Sequence, residues 1–219
     1  MSQDKKFTVK ARFEIGAAKT WTTAAVDLAA DTIRIPNHGF KTADNVGLSS
    51  TGAVPTGLTA LTTAYYIIPV DASTVAFATS RANAFAGTKV NLTAVGSGVG
   101  TMQQGALGIT HSEILIPKDH YVVNARYLVH TTAASPTGPD NGTLAISLVA
   151  ANDIVSAVTI ATSTVWDDTN AQVVGIPLIN TVSTYLLTTS DVPVVFTTGS
   201  DAWTAGKLDV FLDIVPALA

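Results

Sequence analysis

Residues 7 to 15 alternate without a break, with Phe7, Val9, Ala11, Phe13 and Ile15 apolar and Lys6, Thr8, Lys10, Arg12 and Glu14 polar around them. Successive side chains of an extended chain point to opposite faces. A period of two therefore marks a half-buried strand and excludes a helix, whose apolar positions recur every three or four residues. The same period closes the chain, where Leu208, Val210, Leu212 and Ile214 oppose Lys207, Asp209, Phe211 and Asp213. Further strands are predicted over 32–36, 65–70, 74–78, 99–102, 113–116, 121–130, 144–148, 185–188 and 194–197. Turn signals such as Asn37-His38-Gly39 and Asp140-Asn141-Gly142 separate them. One short helix is predicted from Arg81 to Ala86, ended by Gly87. Residues 17–30 read as a loop or edge segment, and 152–175 show no assignable period. Many short strands with almost no helix predict an all-β chain. The expected order is an N-terminal strand or arm (1–30), a small β module (31–104) and a larger antiparallel, jelly-roll-like β-sandwich (105–219). The Gly-rich stretch from Gly96 to Gly105 marks the module boundary, and the module itself reads equally as a closed barrel or an open sandwich.

Composition narrows the function. The 219 residues are 47% hydrophobic and only 13% charged, with no Cys, which excludes disulfides, thiolate metal sites and thiol nucleophiles. No apolar run approaches the about 20 residues of a spanning helix, and the polar start Met-Ser-Gln-Asp-Lys-Lys leads into no signal-peptide core, so the expectation is a soluble protein made without an export signal. The net charge of −4 hides a +3 segment over residues 1–20, which leaves −7 on the rest. An acidic body without a basic stripe argues against nucleic acid as a partner. The basic segment reads first as a solvated strand face and secondly as an arm able to dock on an acidic surface, with Lys5, Lys6, Phe7, Lys10 and Arg12 as its contact residues.

Catalytic and metal constellations do not emerge. His38 sits in a turn, and His111, His120 and His130 lack the spacing of neighbouring ligands. Asp167-Asp168 is the one adjacent acidic pair and a poor nominee for glycoside hydrolysis. Asp140-Asn141-Gly142 lacks the remaining oxygen ligands of a calcium loop. Trp21, Trp166 and Trp203, or Tyr65 and Tyr66, read as core or interface anchors more readily than as a sugar-stacking platform. No enzyme, cofactor or metal is expected.

The segments Ile35-Pro36-Asn37-His38-Gly39-Phe40, Pro55-Thr56-Gly57-Leu58, Tyr65-Tyr66-Ile67-Ile68-Pro69-Val70-Asp71 and Phe77-Ala78-Thr79-Ser80, with Ala82-Asn83-Ala84, resemble a small β module that recurs in tailed-bacteriophage virion proteins. The resemblance covers about residues 31–102 and implies a phage structural component of tail, fibre or head. The stretch from Thr204 to Val215 is similar to the final strand of β-sandwich proteins in phage heads and tails. Neither likeness carries catalytic residues. Together with the sparse charge, which suits burial in a symmetric assembly, they lead to an expected capsid decoration or cement protein of the virion. Such a protein would be made in the host cytoplasm, form a homo-oligomer, with a trimer preferred, and bind the major capsid protein. The alternative is a tail or fibre module that recognises host glycan.

Overall fold

The computed structural model describes residues 6–134, 142–150, 153–159, 174–175, 186–200 and 202–217. Lys5, Asp140, Asn141, Trp166, Asp167 and Asp168 lie outside them. More than half of the described residues are strand, in antiparallel sheets, and the described α-helix is confined to one short segment. The chain divides into two compact units, one made of Met1–Glu14, Ile109–Thr198 and Ala205–Ala219 and the other of Ile15–Gly108 and Gly199–Thr204. This differs from the expected order at its start. Residues 7–14 are a strand of the C-terminal unit, residues 15–30 belong to the small module, and the later boundary falls at Gly108/Ile109, after the Gly-rich stretch.

The strands in chain order are β1 (Phe7–Glu14); β2 (Lys19–Thr22), β3 (Val26–Asp27), β4 (Thr32–Arg34), β5 (Asn45–Ser50), β6 (Tyr65–Asp71), β7 (Thr74–Ala78) and β8 (Val99–Gln104) in the inserted unit; then β9 (Gly108–Ile116), β10 (His120–Ala134), β11 (Thr143–Ser147), β12 (Val155–Thr159), β13 (Val174–Gly175), β14 (Leu186–Leu187), β15 (Val192–Gly199) and β16 (Ala205–Pro216).

The terminal unit holds two sheets. One runs β1-β16-β10-β13, with β14 also pairing β10, and the other runs β12-β11-β15-β9. Because β16 occupies one edge of β10 along its length, β13 and β14 share the other edge, as two pieces of one strand position. The order is that of a jelly roll, with the first, last and third strands adjacent in one sheet and their chain neighbours adjacent in the other. The inserted unit occupies the connection between its first two strands. β1 pairs β16 over eight residues without a register shift, from Phe7 opposite Ile214 to Glu14 opposite Lys207. Alternation decides the faces: Leu208, Val210, Leu212 and Ile214 are buried together with Ala11 and Phe13. Phe13 of the first sheet meets Phe196 of the second at 5.3 Å between ring centroids, so the two sheets close on one apolar layer.

In the inserted unit one seven-stranded sheet runs β2-β8-β5-β6-β7-β4-β3. Its two terminal strands are neighbours in sequence, joined only by the 3-10 turn Thr23–Ala25. Three residues span about 10 Å, so the sheet must curl back on itself. Trp21 of β2 accordingly shares a core with Ile33, Val75, Phe77, Val46 and Met102. The module is an open barrel, neither the closed barrel nor the open sandwich that the sequence left as alternatives. The helix α1 (Arg81–Ala86) starts at Ser80, whose hydroxyl accepts the Asn83 N–H, and stops at Gly87. Gly87 adopts φ 72°, a left-handed conformation that glycine enters without penalty.

Five strands, β2, β3, β5, β12 and β13, escaped the sequence reading. β5 is buried at Asn45, Val46, Gly47 and Leu48 in succession, so it shows no alternation. β2 is four residues long and Thr-rich, and only Trp21 turns inward.

Candidate functional site

The outer face of the β1-β16-β10 sheet carries a compact charge ladder. Asp209 and Asp213 stand two residues to either side of Phe211 on β16, on the face opposite the apolar layer, yet each side chain is only 2% exposed. Neighbouring side chains cover them. Arg12 forks onto Asp209, Nε to Oδ1 at 2.7 Å and Nη2 to Oδ2 at 3.1 Å. Lys10 reaches Oδ2 at 2.9 Å and His130 Nε2 at 2.8 Å. Asp213 accepts from Thr8 Oγ1 at 2.6 Å, Arg126 Nη1 at 2.8 Å, Lys6 Nζ at 2.9 Å and Asn124 Nδ2 at 3.1 Å. Between the two carboxylates Arg126 lies over the Phe211 ring at 5.7 Å. At the end of the ladder the polarity reverses, with Lys207 on Glu14 at 2.9 Å.

These contacts set the electrostatics. The Arg12 hydrogen bond, followed by Lys10 and His130, holds the Asp209 carboxyl far below the usual carboxylate range. Burial alone would raise Asp213, but the bonds from Lys6, Thr8, Asn124 and Arg126 outweigh it and hold this carboxyl equally low. Reciprocally, Asp209 raises the Arg12 guanidinium. Five cations face three carboxylates, which leaves a surplus of +2 on this face of a chain whose net charge is −4.

Of the residues nominated from sequence, Lys6, Lys10 and Arg12 thus come together, on two carboxylates of the last strand. Phe7 is 41% exposed and meets His120 edge-on at 5.5 Å. The segment is an integral sheet strand, the first of the two readings that the sequence offered, rather than a separate arm. The reason is the uninterrupted ladder to β16 and the burial of Ala11 and Phe13 beneath it. Its far edge carries no strand among the described residues, because β1 ends the sheet. The acidic half of the ladder was missed. Its signal was present: Asp, Phe, Asp on the polar face of the last strand, preceded by Lys207, complements Thr8, Lys10, Arg12 and Glu14 read in the opposite direction.

The remaining nominees take structural roles. His38 is buried and bridges, with Nδ1 accepting the Phe40 N–H at 3.0 Å and Nε2 lying 2.7 Å from the Asp71 carbonyl, a pairing that fixes the proton on Nε2. His120 Nδ1 lies 2.8 Å from the Lys118 carbonyl. Trp21, Trp203 and Tyr65 are buried at 5%, 1% and 3% exposure, so none offers a ring face to a sugar. Among the described residues no three His, Asp or Glu side chains gather as a metal site, and no helix is long and apolar enough to cross a membrane.

The class defined by this architecture is an all-β protein in which a jelly roll carries an open barrel between its first two strands. No family model matches the chain, and no curated protein does. Among solved structures it is similar to dimeric latent PorU from Porphyromonas gingivalis, at 12% identity and a TM-score of 0.24, over 94% of this chain and 24% of that one. The chain thus spans about a quarter of that protein's length.

Proposed function

We propose that this chain is a non-enzymatic structural protein of a tailed-phage virion, a decoration protein that reinforces the head as a homo-oligomer bound to the major capsid protein. The observation that carries this reading is β1, a sheet-edge strand whose outer side chains form a cationic face on an otherwise acidic chain. An edge strand can extend a neighbour's sheet through its backbone, and surplus positive charge steers it toward an acidic shell surface. The resemblance of residues 31–102 to a phage module supports the same reading, as does the jelly roll, an architecture shared by viral capsid domains and by lectins, which does not identify function by itself. The mechanism is mechanical: each copy laid across a junction adds buried area at about 25 cal/mol per Å² of apolar surface, less the cost of association, repeated over the shell.

The test is the copy number of this protein in purified particles, by quantitative mass spectrometry against the major shell subunit. Stoichiometry comparable to the shell subunit is expected. A few copies per particle would move the protein to the tail, and absence would overturn the virion reading.

A further inference from the structure

The chain has four arginines, and three of them are engaged: Arg12 and Arg126 on carboxylates, Arg81 over the Phe85 ring at 5.3 Å. Arg34 differs. It lies on β4 between buried Ile33 and Ile35, so its side chain is on the outer surface of the barrel, and among the described residues no carboxylate, carbonyl or ring partners it. It does not project into open solvent alone. It lines an open groove of about 360 Å³ at the seam of the barrel, shared with β2, the turn that follows it, Pro36 and Val99.

The groove combines three kinds of surface. Arg34 supplies a planar cationic fork, the group best matched to a carboxylate. Thr20 and Thr22, the outward residues of β2, supply hydroxyls that both donate and accept. Pro36 and Val99 supply apolar wall, with Val99 40% exposed. The volume is at the lower end of small-ligand sites, which suits one sugar ring rather than an extended chain.

We propose that this seam groove binds an acidic monosaccharide unit, with its carboxylate on Arg34, its ring hydroxyls toward Thr20 and Thr22, and its C–H face against Pro36 and Val99. The inference stands apart from the virion reading and holds whichever way that test falls. It is tested on the full chain by two-dimensional NMR titration with D-glucuronate, D-glucose and acetate in parallel, following the Trp21 indole N–H. Saturable shifts with glucuronate are expected, with glucose and acetate each at least about tenfold weaker. Arg34→Ala should abolish them while leaving the melting temperature unchanged, since no hydrogen bond, ion pair or ring contact of Arg34 is lost, and Thr22→Val should weaken them. Equal binding of acetate would overturn the saccharide assignment. Absence of saturable shifts, or binding that survives Arg34→Ala, would overturn the site.

Discussion

Arg12 and Asp209 are 197 residues apart in the chain and form a two-point fork, at 2.7 and 3.1 Å, across directly opposed positions of the first and last strands. The pair lies on a solvent-facing sheet surface, but Asp209 is sealed by the side chains that neutralise it. Its environment is made by its partners rather than by depth in a core.

Redundancy around Asp209 sets the mutational pattern. Asp209→Ala removes the acceptor shared by Arg12, Lys10 and His130 and is expected to cost about 1–3 kcal/mol. Arg12→Ala should cost less, because Lys10 and His130 stay on the carboxylate. The double variant Lys10→Ala/Arg12→Ala should lose more than the sum of its parts. Urea denaturation of the set provides the check, and simple additivity would refute this account.

Acid should weaken the terminal unit. Both ladder carboxyls titrate far lower in the folded chain than the about 3.9 of an unfolded Asp. Their stabilisation is therefore complete above that value and is lost as pH falls toward the folded values. The urea midpoint should drop between about pH 5 and pH 2, with about 1–3 kcal/mol due to the pair after screening by half-exposed cations. Asp209→Asn/Asp213→Asn should flatten that drop, and an identical acid slope in the variant would rule the ladder out as its source.

Deleting residues 1–14 should unfold the jelly roll rather than free it of an arm. The deletion removes buried Phe13, whose truncation to Ala alone is worth about 3–5 kcal/mol. It also strips Asp209 and Asp213 of Lys6, Thr8, Lys10 and Arg12. Near-ultraviolet circular dichroism and limited proteolysis would report the loss, and a cooperative, protease-resistant truncation product would contradict it.

In the barrel, Gly100→Ala should displace Trp21. Gly100 pairs with Trp21 across β2 and β8, and a Cβ there would enter the indole ring. Since Trp21 anchors the core beside the seam, a loss of about 1–3 kcal/mol is expected, with a red-shifted tryptophan emission. An unshifted spectrum with unchanged stability would show that the ring has room to move.

Local pattern carried much of this architecture. Alternation over 7–15 and 208–215 specified both strands and their buried faces, and Gly87 marked the stop of one helix. Asn37-His38-Gly39 marked a turn, though not the His38 bridge from the Phe40 amide to the Asp71 carbonyl, because that contact spans 33 residues. β5 was hidden for a physical reason: a strand covered on both faces has no period to read.

The sequence by itself determined what most segments are, because strand period, helix stops and turn residues act over a few neighbouring positions. Only the tertiary structure decided which segments meet. It paired β1 with β16, brought the ends of the seven-stranded sheet together at the Arg34 groove, and turned a basic segment and two distant aspartates into one ladder. Pairing and register depend on which long-range partner best buries each apolar face and neutralises each charge, and that choice is made by the whole chain at once.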